Sequence, residues 1–139
     1  MAYWLFKSEP ETWSWEMQKK KGAAGEPWSG VRNFQAANNM KAMKKGDLGF
    51  FYHSGEERAV VGIVEVIGEY RPDPTDEKGR FGLVDVKAVA GLKTPVTLAA
   101  IKAMDELSAM VLVKNSRLSV QPVTAKEWRA ICRIGGVPS

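Results

Sequence analysis

The residues that decide the fold class are numbers 60–67, Val60-Val61-Gly62-Ile63-Val64-Glu65-Val66-Ile67. Both alternating faces of this stretch are apolar apart from one glutamate, which predicts a strand near the centre of a sheet. Two flanking stretches predict further strands: Leu48–Ser54 is rich in aromatic residues, and Phe81–Val89 alternates apolar and charged residues around Asp85. Arg71–Gly82, with two prolines and several charges, predicts a mobile loop.

The segments that precede this centre predict one strand and two helices. Tyr3–Lys7 is a short apolar run that predicts a first strand. Ser14 is placed to cap a short helix from Trp15 to about Lys20. A second helix is expected from Asn33 because apolar residues recur every three positions, and Gly46 is expected as its left-handed stop. Its predicted inner face consists of Phe34, Ala37, Met40 and Met43.

The C-terminal third predicts short helices and one more strand region. Thr97 is expected to start a short helix, with another helical turn over Asp105–Met110. Met110–Val113 and Leu118–Val123 predict a final strand pair or a bent strand. Thr124 followed by Glu127 forms a capping box that opens a last helix, which is expected to reach about Ile134.

The fold class follows from this element order. Five or six short, mostly antiparallel strands alternate with four or five short helices, and few long helices separate successive strands, which argues against a doubly wound sheet. An α+β fold is predicted, built on a small twisted barrel or strongly curled sheet with helices around it. At 139 residues the chain is most simply one domain, 1–139, with a monomer as the default.

Composition narrows the class of protein. A single cysteine, Cys132, excludes an internal disulfide and a cysteine-based zinc site, and it suits a reducing compartment. No run approaches the roughly 18 apolar residues that a membrane span needs. The apolar N-terminus is short and followed by Lys7, so it does not predict a signal peptide. We therefore expect a cytoplasmic protein, with access to the nucleoid in a bacterial cell.

Charge indicates a polyanionic partner. Lysine and arginine number 20 against 16 acidic residues, which leaves a net charge of +4. That excess is small, but basic residues cluster in the first third of the chain, around Trp28. No glycine pattern forms a phosphate-binding loop, so no nucleotide cofactor is expected, and one histidine without clustered carboxylates argues against a metal site.

The segment Trp28–Asn39 carries the strongest functional signal. Its tryptophan offers a stacking face, its amides can read the edge of a base, and Arg32 can bind phosphate. Sequence alone leaves two interpretations of Trp28 open, since a tryptophan on a loop either folds back as a plug or stacks on a ligand. Gln35, Asn38 and Asn39 share one helix face, which is either solvated or turned toward a nucleic-acid backbone.

Catalysis is a weaker alternative. His53 ends a strand next to Ser54, and a hydrolase could use this histidine with Ser54 or Asp85. Adjacent residues on a strand point to opposite faces, however, and no nucleophile-elbow motif is present. A protein-interaction adaptor is a third possibility.

Five separated motifs, in order, resemble the EVE domain, and the match runs nearly end to end. They are Tyr3–Pro10, Trp28–Asn39, Phe51–Ser54, Val61–Val66 and Ser116–Val123. The resemblance implies a PUA-like fold, a small β-barrel with surrounding helices, and kinship with YTH domains, which hold a methylated adenine in an aromatic cage. It also implies a non-enzymatic reader of modified bases, most simply modified cytosine in DNA, with modified RNA as the alternative.

The resemblance also implies a set of site residues. The base or ligand is expected to meet Lys7, Ser8, Trp28, Ser29, Asn33, His53, Ser54, Arg117 and Ser119. The residue types of the basic, amide-rich segment, and not the resemblance, add expected phosphate or backbone contacts from Arg32, Gln35, Asn39 and Lys41. One departure is Phe81 with Gly82, where many EVE domains carry tryptophan. The smaller ring is expected either to loosen the cage or to change which modification fits, with Tyr70 as the residue that could compensate.

Overall fold

The computed structural model describes residues 1–139, and its centre is one six-stranded sheet with five short helices on its two sides. The strands are β1 (Tyr3–Ser8), β2 (Glu26–Pro27), β3 (Leu48–His53), β4 (Ala59–Pro72), β5 (Gly82–Thr97) and β6 (Val120–Val123). The helices are α1 (Trp15–Lys20), α2 (Phe34–Lys41), α3 (Leu98–Lys102), α4 (Val111–Lys114) and α5 (Ala125–Gly135), with single 3₁₀ turns at Gly22–Ala24 and Asp105–Leu107.

The strand order is β2-β5-β4-β3-β1-β6, so the predicted central strand does lie inside the sheet. β1 runs parallel to β3, and every other neighbouring pair is antiparallel. The α+β class and the mostly antiparallel arrangement are therefore confirmed. β4 and β5 form a long hairpin whose register shifts at several bulges, and such shifts bend and twist a sheet.

The sheet is not closed into a barrel, which corrects the expectation of a β-barrel. β2 and β6 are the two ends of the strand order and do not pair with each other. Both edges contain a proline, Pro27 in β2 and Pro122 in β6. A proline has no N–H to donate, so each edge strand lacks part of the ladder that closure would need.

Two separate apolar cores lie on the two faces of the sheet. Alternation places Trp4 and Phe6 of β1 in one core and Leu5 in the other, as the two-residue period of a strand requires. The first core is completed by α1, α2 and the segment around Trp28. The second is completed by the C-terminal helices, where the ring of Trp128 stacks at 3.9 Å on Phe50. The first core borders the cavity described below.

Local capping predictions are confirmed at both ends of the chain. Ser14 accepts a hydrogen bond from the backbone N–H of Met17 and begins α1 at Trp15, as expected. Thr124 and Glu127 form both bonds of the capping box that opens α5. Gly136 ends this helix in the left-handed region with φ 75°.

Three sequence predictions are wrong. Val111–Lys114 is a helix and not a strand: Met110 is extended, and the carbonyls of Met110 and Val111 accept from the N–H groups four residues on. Helix α2 ends at Lys41, and Gly46, with φ 93°, belongs to the turn before β3. Phe34 does not join the inner face of α2: its side chain is 60% exposed, since as the first residue of the helix it extends beyond the core toward Phe81.

No helix is long and apolar enough to cross a membrane.

Candidate functional site

A cavity of about 350 Å³ opens where the end of β1 meets β2 and the loop after it. It is bordered by the exit of β1, the loop that precedes α1, the segment from β2 to α2, and the residue before β6. The lining residues are Lys7, Ser8, Thr12, Trp13, Glu26, Pro27, Trp28, Ser29, Gly30, Val31, Arg32 and Ser119.

Trp28 is both a core residue and a wall of the cavity. Its side chain is 8% exposed and meets Phe6 at 5.1 Å and Phe51 at 5.6 Å between ring centroids, in both cases edge to face. Its backbone N–H donates to the carbonyl of Val84 on β5. The ring is thus packed in the core, and the residue also borders an open cavity; stacking of Trp28 on a ligand stays a prediction.

Trp13 supplies a second indole to the cavity. This residue is half-buried, and its Nε1 donates to Oε1 of Gln18 at 2.9 Å. Gln18 is fully buried, and its amide nitrogen donates to the carbonyl of Val86 on β5. The Trp13 ring is therefore tied to β5 through Gln18.

The exit of β1 places a cation and a hydroxyl at the cavity. Lys7 is half-buried; its ammonium donates to the carbonyl of Ser116 and lies 5.9 Å from the centre of the Tyr52 ring. Burial lowers the pKa of Lys7 from its ordinary value. The hydroxyl of Ser8 donates to the carbonyl of Trp13 at 2.5 Å. Because its hydrogen is used in this bond, the Ser8 oxygen can only accept a hydrogen bond from a ligand.

Asp73 holds the segment that carries Gly30 and Arg32. This carboxylate is 3% exposed and accepts hydrogen bonds from the Gly30 N–H at 2.8 Å, from Arg32 Nη1 at 3.2 Å, and from both the N–H and the hydroxyl of Thr75. Burial alone would raise the pKa of Asp73, but these hydrogen bonds outweigh burial and lower it to about 2. The carboxylate thus pins one wall of the cavity to the loop between β4 and β5.

The charges at the cavity favour an anionic ligand. Lys7 and Arg32 are the two cationic lining residues, and Glu26 is the one acidic lining residue. The Glu26 carboxylate is paired with Lys21 at 3.4 Å. Arg32 is likewise paired with Asp73, at 3.2 Å, so a phosphate at the rim would meet the ammonium of Lys7 and those N–H groups of Arg32 that Asp73 and Thr75 leave free.

Six of the residues predicted for the site line the cavity: Lys7, Ser8, Trp28, Ser29, Arg32 and Ser119. The other seven do not line it: Asn33, Gln35, Asn39, Lys41, His53, Ser54 and Arg117. Their proposed contacts with a base or a phosphate stay predictions, and the structure gives several of them other bonds.

Asn33 and Asn39 serve the local fold. Asn33 Oδ1 caps α2 by accepting from the N–H of Ala36 at 2.9 Å. Asn39 donates from its amide to the carbonyl of Val120 at 2.8 Å and so ties α2 to β6. Lys41 lies 5.6 Å above the ring of Tyr70.

His53 has a protein partner at each ring nitrogen. Nε2 accepts from the backbone N–H of Trp15 at 3.0 Å, and Nδ1 lies 2.6 Å from a carboxylate oxygen of Glu57. Since Nε2 accepts, the ring proton lies on Nδ1 and is donated to Glu57. The hydroxyl of Ser54 donates to the carbonyl of Ser8 at 3.3 Å.

Sequence reasoning missed half of the cavity lining. The lining residues that were not assigned to the site are Thr12, Trp13, Glu26, Pro27, Gly30 and Val31. Trp13 flanks the start of α1, a place that suits either packing on the helix or lining a cleft, and its position five residues beyond Ser8 favours the cleft. Thr12 precedes it, and the other four belong to the Glu26–Arg32 segment, of which three residues were assigned to the site.

Phe81 and Gly82 lie outside the lining. The Phe81 ring contacts Phe34 at 4.7 Å between centroids. A Cβ at Gly82 would come within 2.4 Å of the Tyr70 ring, so glycine is needed here for Tyr70 to pack. The structure also contains no group of three or more histidine, cysteine or acidic side chains placed to hold a metal ion.

Comparison with known proteins identifies the class. The family model of the EVE domain matches residues 2–134. Human thymocyte nuclear protein 1 is 33% identical in an alignment that covers 91% of this chain and 71% of the human protein. The chain therefore belongs to the EVE domain family.

Solved structures give the same fold. A crystal structure of an Agrobacterium tumefaciens protein is 55% identical, with a TM-score of 0.95 and coverage of 99% of this chain and 94% of that one. The human THYN1 protein in complex with DNA containing 5-methylcytosine is 31% identical, with a TM-score of 0.92 and full coverage of both chains. A YTH domain of Zygosaccharomyces rouxii, 19% identical with a TM-score of 0.61 over 99% of this chain and 86% of that one, shares the fold. The PUA-like fold is thus confirmed.

Proposed function

We propose that this chain is a non-enzymatic nucleic-acid-binding module that takes one flipped or single-stranded modified base into the cavity beside Trp28. The observation that carries this proposal is the cavity itself, in which two indoles, Trp13 and Trp28, lie next to the cations Lys7 and Arg32. A volume of about 350 Å³ is near the lower end of the range for ligand sites, which suits a single base.

The human relative supports the choice of ligand. The THYN1 protein forms a complex with DNA that contains 5-methylcytosine, and its fold matches this chain over its full length. We therefore propose a modified cytosine in DNA as the ligand, with a modified base in RNA as the alternative outcome of the test below.

The energetics require several contacts together. Extruding a base from a stack costs a few kcal/mol, and stacking on an aromatic side chain returns about 1–3 kcal/mol. Phosphate contacts from Lys7 and Arg32 would supply a salt-dependent share of the affinity. One methyl group is worth about 0.8 kcal/mol on burial, so preference for a methylated base over its unmodified form is expected to be several-fold.

The bonding of His53 supports a non-enzymatic role. One ring nitrogen accepts from the backbone of Trp15 and the other donates to Glu57, so no lone pair of this ring is free to take a proton from a substrate. Asp85, the other residue considered for a hydrolase, is paired with Arg71 at 3.0 Å. The cytoplasmic location expected from the composition stays a prediction.

The test is a binding titration of single-stranded oligonucleotides with one central cytosine or 5-methylcytosine, as DNA and as RNA. The informative variant is Trp28→Leu, which leaves an apolar but smaller side chain and removes the aromatic face. Trp15→Leu is its matched control, because Trp15 is also buried and also meets Phe51, at 5.3 Å, but does not line the cavity.

The proposal predicts that Trp28→Leu weakens binding of the modified oligonucleotide by about fivefold to 150-fold, corresponding to about 1–3 kcal/mol of stacking. Trp15→Leu is expected to cost stability with little loss of affinity, measured under conditions in which urea denaturation shows both variants folded. Equal effects of the two variants, or no binding by the wild-type chain to any of the four oligonucleotides, would contradict the proposal.

A further inference from the structure

We propose that the exposed ring of Phe34 is a stacking platform for the base next to the one held in the cavity. This inference rests on the proposed function and adds a second base-binding site, outside the cavity. The platform consists of Phe34, the Phe81 ring behind it, and the guanidinium groups of Arg32 and Arg80 beside them.

The ring of Phe34 is exposed to solvent on one side and contacts the ring of Phe81 on the other. It is 60% exposed, and it alone among the exposed large apolar side chains carries an aromatic ring, since the others are Met1, Met17 and Val89. The buried ring of Phe81 lies 4.7 Å away at an interplanar angle of 33°. Because Phe81 supports one side and the ring has only two side-chain torsions, a base stacking on it would cost little ordering entropy.

Arg32 connects the platform to the cavity. Its side chain lines the cavity, and its guanidinium carbon lies 5.9 Å from the centre of the Phe81 ring. A strand whose extruded base lies against Trp28 would therefore pass Arg32 before it reaches Phe34. The guanidinium is held by Asp73 and Thr75, and the N–H groups that these bonds leave free can bind the phosphate that joins two successive nucleotides.

The charge around the platform matches a nucleic-acid strand. Arg80 lies 5.9 Å from the centre of the Phe81 ring, on the loop between β4 and β5. Farther along α2, Lys41 lies 5.6 Å over the ring of Tyr70. Seven residues of helix place Lys41 about 10 Å beyond Phe34. Cations interleaved with aromatic rings are the pattern by which proteins bind single strands with little sequence preference.

Two carboxylates of the loop between β4 and β5 already accept hydrogen bonds from the protein. Asp73 is buried and accepts from Gly30, Arg32 and Thr75. Asp76 accepts from the backbone N–H groups of Lys78, Arg80 and Phe81. Glu77 is exposed on this loop and is the acidic group free to oppose a phosphate.

The occupant follows from the cost of base extrusion. When one base leaves the stack, its neighbour in the strand loses an aromatic contact on one face. A protein ring placed beside the cavity can replace that contact, and one base on one aromatic side chain is a stable, sequence-tolerant unit. The platform therefore contributes affinity for the strand and not recognition of the modification.

The experiment measures binding of a three-nucleotide single strand with central 5-methylcytosine. Two further ligands carry an abasic analogue at the 5′ or the 3′ neighbour. Each ligand is titrated against the wild-type chain, Phe34→Ala and the control Val89→Ala, which shortens a similarly exposed apolar side chain, 51% exposed, on β5. Both variants change exposed residues, so both are expected to fold.

If Phe34 stacks on the neighbouring base, removing the ring from the protein or the base from the ligand should weaken binding by the same factor. Phe34→Ala weakens binding of the intact trinucleotide by about five- to tenfold, and one abasic replacement weakens wild-type binding by the same factor. On that abasic ligand Phe34→Ala causes no further loss, and Val89→Ala changes nothing. Equal binding by wild type and Phe34→Ala overturns the platform while leaving the proposed function intact. No binding by the wild-type chain overturns both.

Discussion

Replacing Asp73 with asparagine tests whether a buried carboxylate holds the cavity wall in place. Both carboxylate oxygens of Asp73 act as acceptors: Oδ2 accepts from Gly30 and Arg32, and Oδ1 accepts from Thr75. Asparagine keeps the shape but turns an NH₂ group toward one pair of donors and removes the charge that Arg32 faces. The variant is therefore expected to be less stable and to hold the Gly30–Arg32 wall less firmly.

The pKa of Asp73 gives the magnitude. The difference between its ordinary pKa of 3.8 and the folded-state pKa of about 2 corresponds to about 2 kcal/mol, at 1.36 kcal/mol per pKa unit. Because the folded-state pKa is lowered, this stabilisation is fully present above pH 3.8 and is lost as the pH falls toward 2. At pH 3 about half of it remains.

Urea denaturation at pH 7, 5, 4 and 3 measures this contribution. The free energy of unfolding of Asp73→Asn should lie about 2 kcal/mol below that of the wild type at pH 7, and the gap should narrow to about half at pH 3. Glu77→Gln, on the same loop but exposed, is the control and should show no gap. If wild type and Asp73→Asn unfold with the same free energy at pH 7, or if their difference is constant from pH 7 to pH 3, the Asp73 carboxylate does not stabilise the fold in this way.

Two further predictions concern the cores. Gly62→Ala would place a Cβ 2.5 Å from the Trp15 indole, so we expect it to lower the free energy of unfolding, measured in urea, by about 1–3 kcal/mol. Gly91→Ala is the control, because its Cβ would lie 3.3 Å from the nearest atom, and it should lower the free energy of unfolding clearly less. Equal losses in the two variants would contradict this packing. Cys132 is buried, and burial raises its pKa to about 11. A thiol reagent at pH 8 should therefore react with Cys132 only after denaturant is added. Rapid reaction of the native chain would contradict this prediction.

Much of the fold was predictable because its signals are local. The strand around Val60–Ile67 follows from continuous apolar character, and the starts of α1 and α5 follow from capping bonds between residues three apart. The error at Met110–Val113 has the opposite cause. A short apolar run fits a strand or a helix equally, and neighbouring turns decide between them.

The candidate site was only partly predictable because non-local contacts assemble it. Trp13 becomes a cavity wall through Gln18, which is held by β5 some 68 residues away. Arg32 depends on Asp73 in a loop that the sequence marked only as mobile. Phe34 has the spacing of a core residue and is exposed, because α2 begins at the edge of the first core.

The proposed function requires that one unstacked base occupies the cavity between the indoles and the cations. A crystal structure of this chain with a single-stranded oligonucleotide carrying 5-methylcytosine would show whether it does. We expect the modified base in the cavity, in contact with Trp28, and the adjoining phosphate within ion-pair distance of Lys7 or Arg32. A complex in which the strand binds elsewhere and the modified base stays outside the cavity would contradict it.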